Sequence, residues 1–335
     1  MTVDLVIIGA GAWGTTLAGL AVSAGSTVTL VARNEAVHRS LVESRRHPVS
    51  LPGYHLPVEV RVVREAGAAL AVNVDLVVVV VPSVAVDAVA RAIASSGYSG
   101  VVMTATKGID PATLRTSSER LSDALPDLSI TALSGPNLAG EIAMGHPAAA
   151  VVAGNDSDAV ALARRALMSG DYRIYTSTDI VGVEIAGALK NVIAIGAGIA
   201  DGLGAGQNAK AAYMTRGIAE MARLGVAMGA NPLTFAGLAG IGDLIATCSS
   251  ERSRNHTVGR GLAAGTPIDK VLADLPEVAE GVPTTRAALR LGKIKGVELP
   301  IAVQIARVMF DQVPPSEAIA ALMARDATDE LNFLS

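Results

Sequence analysis

The run D-L-V-V-V-V-V at residues 75–81 limits the possible folds of this 335-residue chain more than any other stretch. After Asp75 it has no alternation of polar and apolar residues, so it cannot be a strand with one wet face. A continuous β-branched run of this kind suits a parallel strand covered on both sides. Parallel strands need long crossover connections, usually helical, and the rest of the first half supplies them. V-D-L-V-I-I (3–8), T-V-T-L-V-A (27–32), G-V-V-M-T (100–104), S-I-T-A-L-S (129–134) and A-A-A-V-V-A (148–153) read as further strands, with helical patterns between most of them. V-E-V-R-V-V (58–63) does alternate, which predicts an outer or edge strand. The series predicts an α/β fold: an N-terminal Rossmann-type, mostly parallel, doubly wound sheet.

After Y-R-I-Y-T-S (172–177) the pattern changes. Helical runs fall near 180–200, 206–229, 254–264, 284–291, 300–310 and 315–323, broken by glycine or proline. A boundary near residue 178 follows, with a dinucleotide-binding domain at 1–178 and an all-helical substrate domain at 179–335. Half of the residues are hydrophobic and 17% charged, enough for sizeable cores. A net charge of −4 argues against a general nucleic-acid binder. The single cysteine, Cys248, allows no intrachain disulfide and fits a reducing, cytoplasmic setting. No secretory signal pattern opens the chain. Residues 180–200 are apolar but carry Glu184 and Lys190, so they read as a buried helix and not a membrane span.

The first strand runs into G-A-G-A-W-G (9–14), the spacing G-x-G-x-x-G. Strand, turn, helix and second strand follow in the order that a dinucleotide site needs. Gly9 permits the turn, Gly11 lets backbone approach a pyrophosphate, and Gly14 lets helix and strand pack. The phosphates would sit on the helix N-terminus. The second strand ends A-R-N, with Ala32 where an acidic residue would favour a free ribose hydroxyl. Arg33 suits a 2′-phosphate or could stack on adenine, so NADP is allowed and NAD is not excluded.

Two lysines stand where a charge is costly. Lys107 in M-T-A-T-K-G-I lies just past a buried strand, at the end of a sheet where ligands bind. Lys190 in A-L-K-N-V-I-A-I-G-A-G lies in a helix that is apolar nearly all round. It must be paired, snorkelling or functional. A buried lysine has a depressed pKa, which suits proton transfer near neutral pH. Asn191 beside it offers a donor and an acceptor. Glu184 is poorly spaced to be its same-face partner.

The stretch I-G-D-L-I-A-T-C-S-S-E-R-S-R-N-H-T-V-G (241–259) concentrates polar groups. Ser253, Arg254 and Asn255 open a predicted helix. An arginine fork, neutral donors and helix N–H groups together suit a small phosphorylated ligand. Asp243 and Thr247, four apart, would share one face and address a hydroxyl or a lysine. His256 reads as a surface or capping residue. The five histidines show no metal-ligand spacing, and no metal is expected.

Taken in order along almost the whole chain, these stretches resemble the bacterial NAD(P)-dependent glycerol-3-phosphate dehydrogenases. The matching segments also include L-P-G-Y-H-L-P (51–57), V-V-P-S (80–83), L-S-G-P-N-L-A (133–139), N-A-K-A-A (208–212) and A-E-G-V-P-T-T (279–285). The resemblance implies a C-terminal helical domain of the 6-phosphogluconate dehydrogenase type. It implies reversible reduction of dihydroxyacetone phosphate to sn-glycerol 3-phosphate for glycerophospholipid synthesis, in a cytoplasmic homodimer that engages neither nucleic acid nor membrane. It assigns Gly9, Gly11, Ala12, Trp13, Gly14, Arg33, Lys107, Ala139, Arg254, Val278 and Glu280 to the cofactor, NADP or NAD. It assigns Lys107, Gly135, Asn137, Lys190, Asn191, Asp243, Thr247, Ser253, Arg254 and Asn255 to the substrate, with Lys190 as proton donor and acceptor. The chain departs from the family pattern at Ala12 and Asn137, where Ser or Thr is common, and at Leu138, where Phe is. A related hydroxy-acid or sugar-acid dehydrogenase is the alternative within this architecture. A dinucleotide-binding protein without catalysis is the alternative outside it, and the presence of Lys107, Lys190, Asp243 and Arg254 argues against that.

Overall fold

The computed structural model describes residues 2–70, 73–275, 277–326 and 330. The chain divides into two compact units, residues 1–106 with 117–180, and residues 107–116 with 181–335. The short segment 107–116 therefore clusters with the helical residues, although strands flank it in sequence.

The first unit is an eight-stranded sheet: β1 (Asp4–Ile8), β2 (Thr27–Val31), β3 (Arg61–Val63), β4 (Leu76–Val79), β5 (Val101–Thr104), β6 (Ile130–Ser134), β7 (Ala148–Gly154) and β8 (Tyr172–Ser177). The spatial order is β3-β2-β1-β4-β5-β6-β7-β8. Neighbours are parallel except β6 and β7. The order reverses between β1 and β4, the switch point where this class of sheet binds ligands. The alternating segment ends as the three-residue β3 at the sheet edge, as its pattern predicts.

The valine run shows why the sheet is wound on both faces. Leu76 and Val78 join one core with Leu5, Ile7 and Leu30. Val77 and Val79 join the opposite core with Val6, Ile8 and Val31. Side chains alternate across a strand, so an all-apolar strand needs a cover on each side. Helices α1 (Ala12–Ser23) and α7 (Ser157–Leu167) cover the first face, through Leu17, Ala18, Ala163 and Leu167. Helices α4 (Val86–Ser95) and α5 (Ser117–Ala124) cover the second, through Val86, Ala90, Ile93 and Leu121. Residues 76–79 are each fully buried, and burying such a side chain contributes roughly 1.5–3 kcal/mol. The remaining helices of this unit are α2 (Glu35–Glu43), α3 (Ala66–Leu70) and α6 (Ala139–Ala143).

The second unit is helical: α8 (Ile180–Gly202), α9 (Gly206–Ala227), α10 (Asp243–Ser249), α11 (Arg254–Ala263), α12 (Ile268–Ala273), α13 (Gly281–Lys295), α14 (Pro300–Phe310) and α15 (Pro315–Met323). Pro300 and Pro315 open their helices, where a missing N–H costs nothing. Among the described helices α8 alone is long and apolar enough to cross a membrane, yet 83% of its most apolar window is buried within the protein. It is the core helix of its unit, with every residue from Gly182 to Ala200 buried. A π-helical turn at Leu238–Gly242 precedes α10 directly.

Candidate functional site

In the sheet unit, the loop after β1 is built from backbone. Gly9 has φ +120, and a Cβ there would lie 2.2 Å from the Val80 carbonyl oxygen. A Cβ on Gly14 would lie 1.8 Å from the Gly9 oxygen. Neither neighbour can move aside easily, because both are main chain directly past the ends of the paired strands β1 and β4. Gly11 is the N-cap of α1, with no side-chain cap and no acidic residue in the first turn. Ala12 opens the helix, and its carbonyl accepts a 3.0 Å bond from Thr16. The Thr16 hydroxyl also lies 3.2 Å from the oxygen of Ala139, the first residue of α6.

Trp13 packs edge-on against Tyr172, ring centroids 6.5 Å apart. Tyr172 donates to Asn137 Oδ1 at 3.0 Å. Trp13 Nε1, Thr15 Oγ1 and Asn137 Nδ2 are all buried without a protein partner. Buried polar atoms of this sort are normally satisfied, so donors are left for a ligand at this end of the sheet. With an uncapped helix N-terminus beside them, they fit an anionic dinucleotide. Arg33 is exposed two residues beyond β2 and follows a buried Ala32. Gly135, just past β6, has φ +139.

In the helical unit, four predicted residues come together on one carboxylate. Asp243 Oδ1 accepts Lys190 Nζ at 2.8 Å and Thr247 Oγ1 at 3.1 Å. Asp243 Oδ2 accepts Lys107 Nζ at 2.5 Å. Lys190 Nζ also donates to Thr247 Oγ1 at 2.6 Å. An ammonium has three donors; these bonds use two of those on Lys190. Lys190, Asp243 and Thr247 are buried, while Lys107 keeps 18% of its side chain exposed. A π-helical turn, Leu238–Gly242, leads directly into Asp243. Such turns often mark functional positions, and no residue pattern in the sequence announces this one.

Burial pushes the Lys190 pKa down to about 8, with Lys107 adding to the fall and Asp243 resisting it. Burial alone would raise Asp243, but the two ammonium groups outweigh it and hold the carboxyl below its usual range. Two cations and one anion leave the cluster one positive charge in excess. Cys248 stays a thiol, pushed up to about 12 by burial.

Other predicted residues sit differently. Asn255 donates to Asn191 Oδ1 at 2.9 Å and accepts from the Gly281 N–H at 3.0 Å. Asn191 in turn donates to the Gly187 carbonyl at 3.3 Å. These carboxamides tie α8, α11 and the start of α13 together. Ser253 caps α11 by accepting from the His256 N–H. Arg254 is exposed; it pairs with Glu277 at 3.1 Å and donates to the Val278 carbonyl at 2.8 Å. Val278 is exposed, and Glu280 is the N-cap residue of α13.

His256 departs from its reading as a surface or capping residue. Its ring is buried, with Nε2 at 2.7 Å from Asp201 Oδ2. Glu184, unsuited to Lys190, accepts instead from Thr116 Oγ1 at 2.7 Å, which ties the 107–116 segment to α8. No group of three or more metal-ligating side chains occurs among the described residues.

Residues 4–160 match the N-terminal model of NAD-dependent glycerol-3-phosphate dehydrogenase, and residues 179–320 match its C-terminal model. A protein of Anaeromyxobacter dehalogenans named glycerol-3-phosphate dehydrogenase (NAD(P)+) is 45% identical over 329 residues, 97% of this chain and 99% of that one. A protein of the same name from Geobacillus thermodenitrificans is 43% identical over 335 residues, covering 99% and 97%. The crystal structure of a glycerol-3-phosphate dehydrogenase from Coxiella burnetii superposes with a TM-score of 0.92 at 31% identity, covering 97% of this chain and 99% of that one. With both halves of the family pattern present in order, the chain belongs to the NAD-dependent glycerol-3-phosphate dehydrogenase family.

Proposed function

We propose that this chain catalyses the reversible NAD(P)H-dependent reduction of dihydroxyacetone phosphate to sn-glycerol 3-phosphate. The observation that carries the reading is Lys190, a buried ammonium held by Asp243 and Thr247 with its pKa lowered to about 8. A proton donor works best with a pKa near the working pH, and a cation aimed at a developing alkoxide is a large catalytic term. The chemistry that a bound nicotinamide supplies is hydride transfer.

Lys190 gives its third N–H to the substrate oxygen during reduction and takes that proton back, when neutral, during oxidation. Asp243 holds Lys190 in place and, with Lys107, keeps the excess positive charge next to the reacting oxygen. Thr247 orients the same ammonium. Arg254, with the N-terminal turn that Ser253 caps, grips the phosphate through its planar fork, which requires displacing or sharing its contact with Glu277. Asn191 and Asn255 hold the substrate, and the same reading gives Gly135 and Asn137 to it. The cofactor's pyrophosphate rests on Gly9, Gly11, Ala12 and Gly14. Trp13, Arg33, Lys107, Ala139, Arg254, Val278 and Glu280 complete its contacts. This assigns the dinucleotide-binding role to residues 1–178 and the substrate role to 179–335.

The reading extends to a homodimer in the cytoplasm, feeding glycerophospholipid synthesis and accepting NADP as well as NAD. It draws on the lone cysteine, the close-packed small residues of the helices and the absence of an acidic residue at position 32. Arg254 already pairs with a carboxylate, that of Glu277, so a hydroxy-acid substrate is the competing reading. One assay separates them. Cofactor absorbance is followed with dihydroxyacetone phosphate and with 2-oxo acids, using NADH and NADPH in turn. Oxidation is expected with the phosphate substrate; no oxidation with either cofactor overturns the proposal.

A further inference from the structure

We propose that His256, anchored by Asp201, is a positioning residue for recognition of the substrate's phosphate: it fixes the first turn of α11, and with it Arg254, against α8. The inference rests on the phosphate-gripping role given to Arg254 above.

Three helices meet on one carboxylate oxygen. Asp201 Oδ2, in the last turn of α8, takes His256 Nε2 at 2.7 Å and Lys210 Nζ, from α9, at 2.6 Å. Lys210 belongs to the N-A-K-A-A segment, which has no other assigned part in the chemistry. Asp201 lies eleven residues beyond Lys190, roughly 16 Å along the helix axis at 1.5 Å per residue. A carboxylate only accepts, so His256 Nε2 carries the proton. His256 Nδ1 is buried with no partner.

His256 is held at both ends. Its backbone N–H donates to Ser253 Oγ, which closes the cap, and its ring is tied to the end of α8. Between Arg254 and His256, the Asn255 carboxamide is fixed to Asn191 and to the Gly281 N–H. Within the stretch 253–256 only Arg254 is exposed. The position from which its guanidinium reaches out is therefore set by its buried neighbours. The two helices also touch backbone to backbone at this point. A Cβ on Gly198 would lie 2.1 Å from the His256 carbonyl oxygen, and one on Gly259 would lie 1.9 Å from that of Ile195. Packing this close fixes the distance between the helices. It leaves their angular register to be set by directional bonds.

An apolar side chain at position 256 would pack without stranding a buried ring nitrogen, which is costly. What histidine adds is a directional hold on Asp201. Asp201 is itself held below the usual carboxylate range: burial opposes this, but Lys210 and His256 outweigh it. A displaced Arg254 would lose phosphate binding, because misplacement by about 1 Å is enough to cost catalytic efficiency heavily.

The test compares His256→Leu, which removes the donor, with His256→Gln, which restores an N–H at similar reach. Steady-state constants are measured for dihydroxyacetone phosphate and for unphosphorylated dihydroxyacetone, with Arg254→Ala as reference. His256→Leu is expected to raise KM for the phosphate substrate about tenfold, equivalent to roughly 1.4 kcal/mol. Its kcat should stay near wild type, its NADH affinity should fall no further than that of Arg254→Ala, and its preference for the phosphorylated substrate should fall. His256→Gln should recover most of that preference. If His256→Leu does not fold, Asp201→Ala, which removes the acceptor, should shift KM the same way. Equal losses on both substrates, or no recovery with His256→Gln, overturn the proposal. If Arg254→Ala abolishes the preference and His256→Leu does not, the His256 assignment fails alone. If Arg254→Ala leaves the preference intact, the reading of Arg254 fails and takes this inference with it.

Discussion

In the sheet unit, the loop after β1 offers a ligand mostly backbone: an uncapped helix end and glycines with no room for a Cβ. In the helical unit, the cluster around Asp243 is made of side chains: two ammonium groups, a carboxylate and a hydroxyl. The cores differ in the same sense. Buried charge in the sheet unit is Arg120, paired with Asp87, whereas the helical unit buries Asp110, Glu184, Lys190, Glu220 and Asp243 among the described residues. A backbone site is set by shape, so it should break when an atom is added. A side-chain site is set by ionisation, so it should break when a charge is removed or titrated.

The largest expected effect is on the side-chain site. Lys190→Met keeps the bulk and removes the proton donor, and turnover should fall at least about 100-fold, the scale of lost general acid catalysis. Cofactor affinity should survive, because the glycine loop is untouched. In the wild type, reduction should weaken and oxidation strengthen as pH rises through about 8, where Lys190 loses its proton. Unchanged turnover in Lys190→Met, or identical pH profiles in the two directions, would contradict the role given to Lys190.

Next comes the backbone site. Gly14→Ala places a Cβ where the Gly9 oxygen already sits. Cofactor affinity should drop at least about tenfold, read by fluorescence titration, and stability should fall by roughly 2 kcal/mol or more, as for a steric clash in a core. A variant that binds NADH normally would show that the loop tolerates added bulk, and the contrast between the two sites would lose its basis.

The difference between the sites also decides what could be read from sequence. The glycine spacing is local, so residues 9–14 disclose the turn unaided. The run at 75–81 carries both faces of the sheet in one pattern, and β4 divides its side chains between the two cores accordingly. Lys190 is legible because a charge in an apolar helix demands a partner. Which partner it takes is not legible: Asp243 is 53 residues away, and Lys107 reaches the same carboxylate from 136 residues away. Local periodicity holds no information about such pairings. His256 is half legible for the same reason. Three residues past Ser253, its N–H closes the cap, but only the fold brings the end of α8 against its ring. The π-helical turn at Leu238–Gly242 is hidden too, because a single extra residue per turn leaves the apolar pattern nearly unchanged.

The last effect concerns stability alone and sharpens the contrast between the cores. Glu220 on α9 is buried and accepts the N–H groups of Ile301 and Ala302 at the start of α14, at 2.8 and 2.9 Å. Burial nevertheless pushes its pKa up to about 7, from an ordinary value of 4.5, against the pull of those two bonds. Between those values the folded protein keeps a proton that the unfolded chain has released. Folding therefore takes up a proton in this window, and stability falls as pH rises through it, levelling off above about 7. The full penalty is about 3 kcal/mol at 1.36 kcal/mol per pKa unit. Glu220→Gln resembles the protonated acid at every pH. The loss in denaturant midpoint between pH 5 and pH 8 should be smaller in the variant than in the wild type. An equal loss in both would mean that another of the helical unit's buried charges sets the slope, or that the sheet unit does.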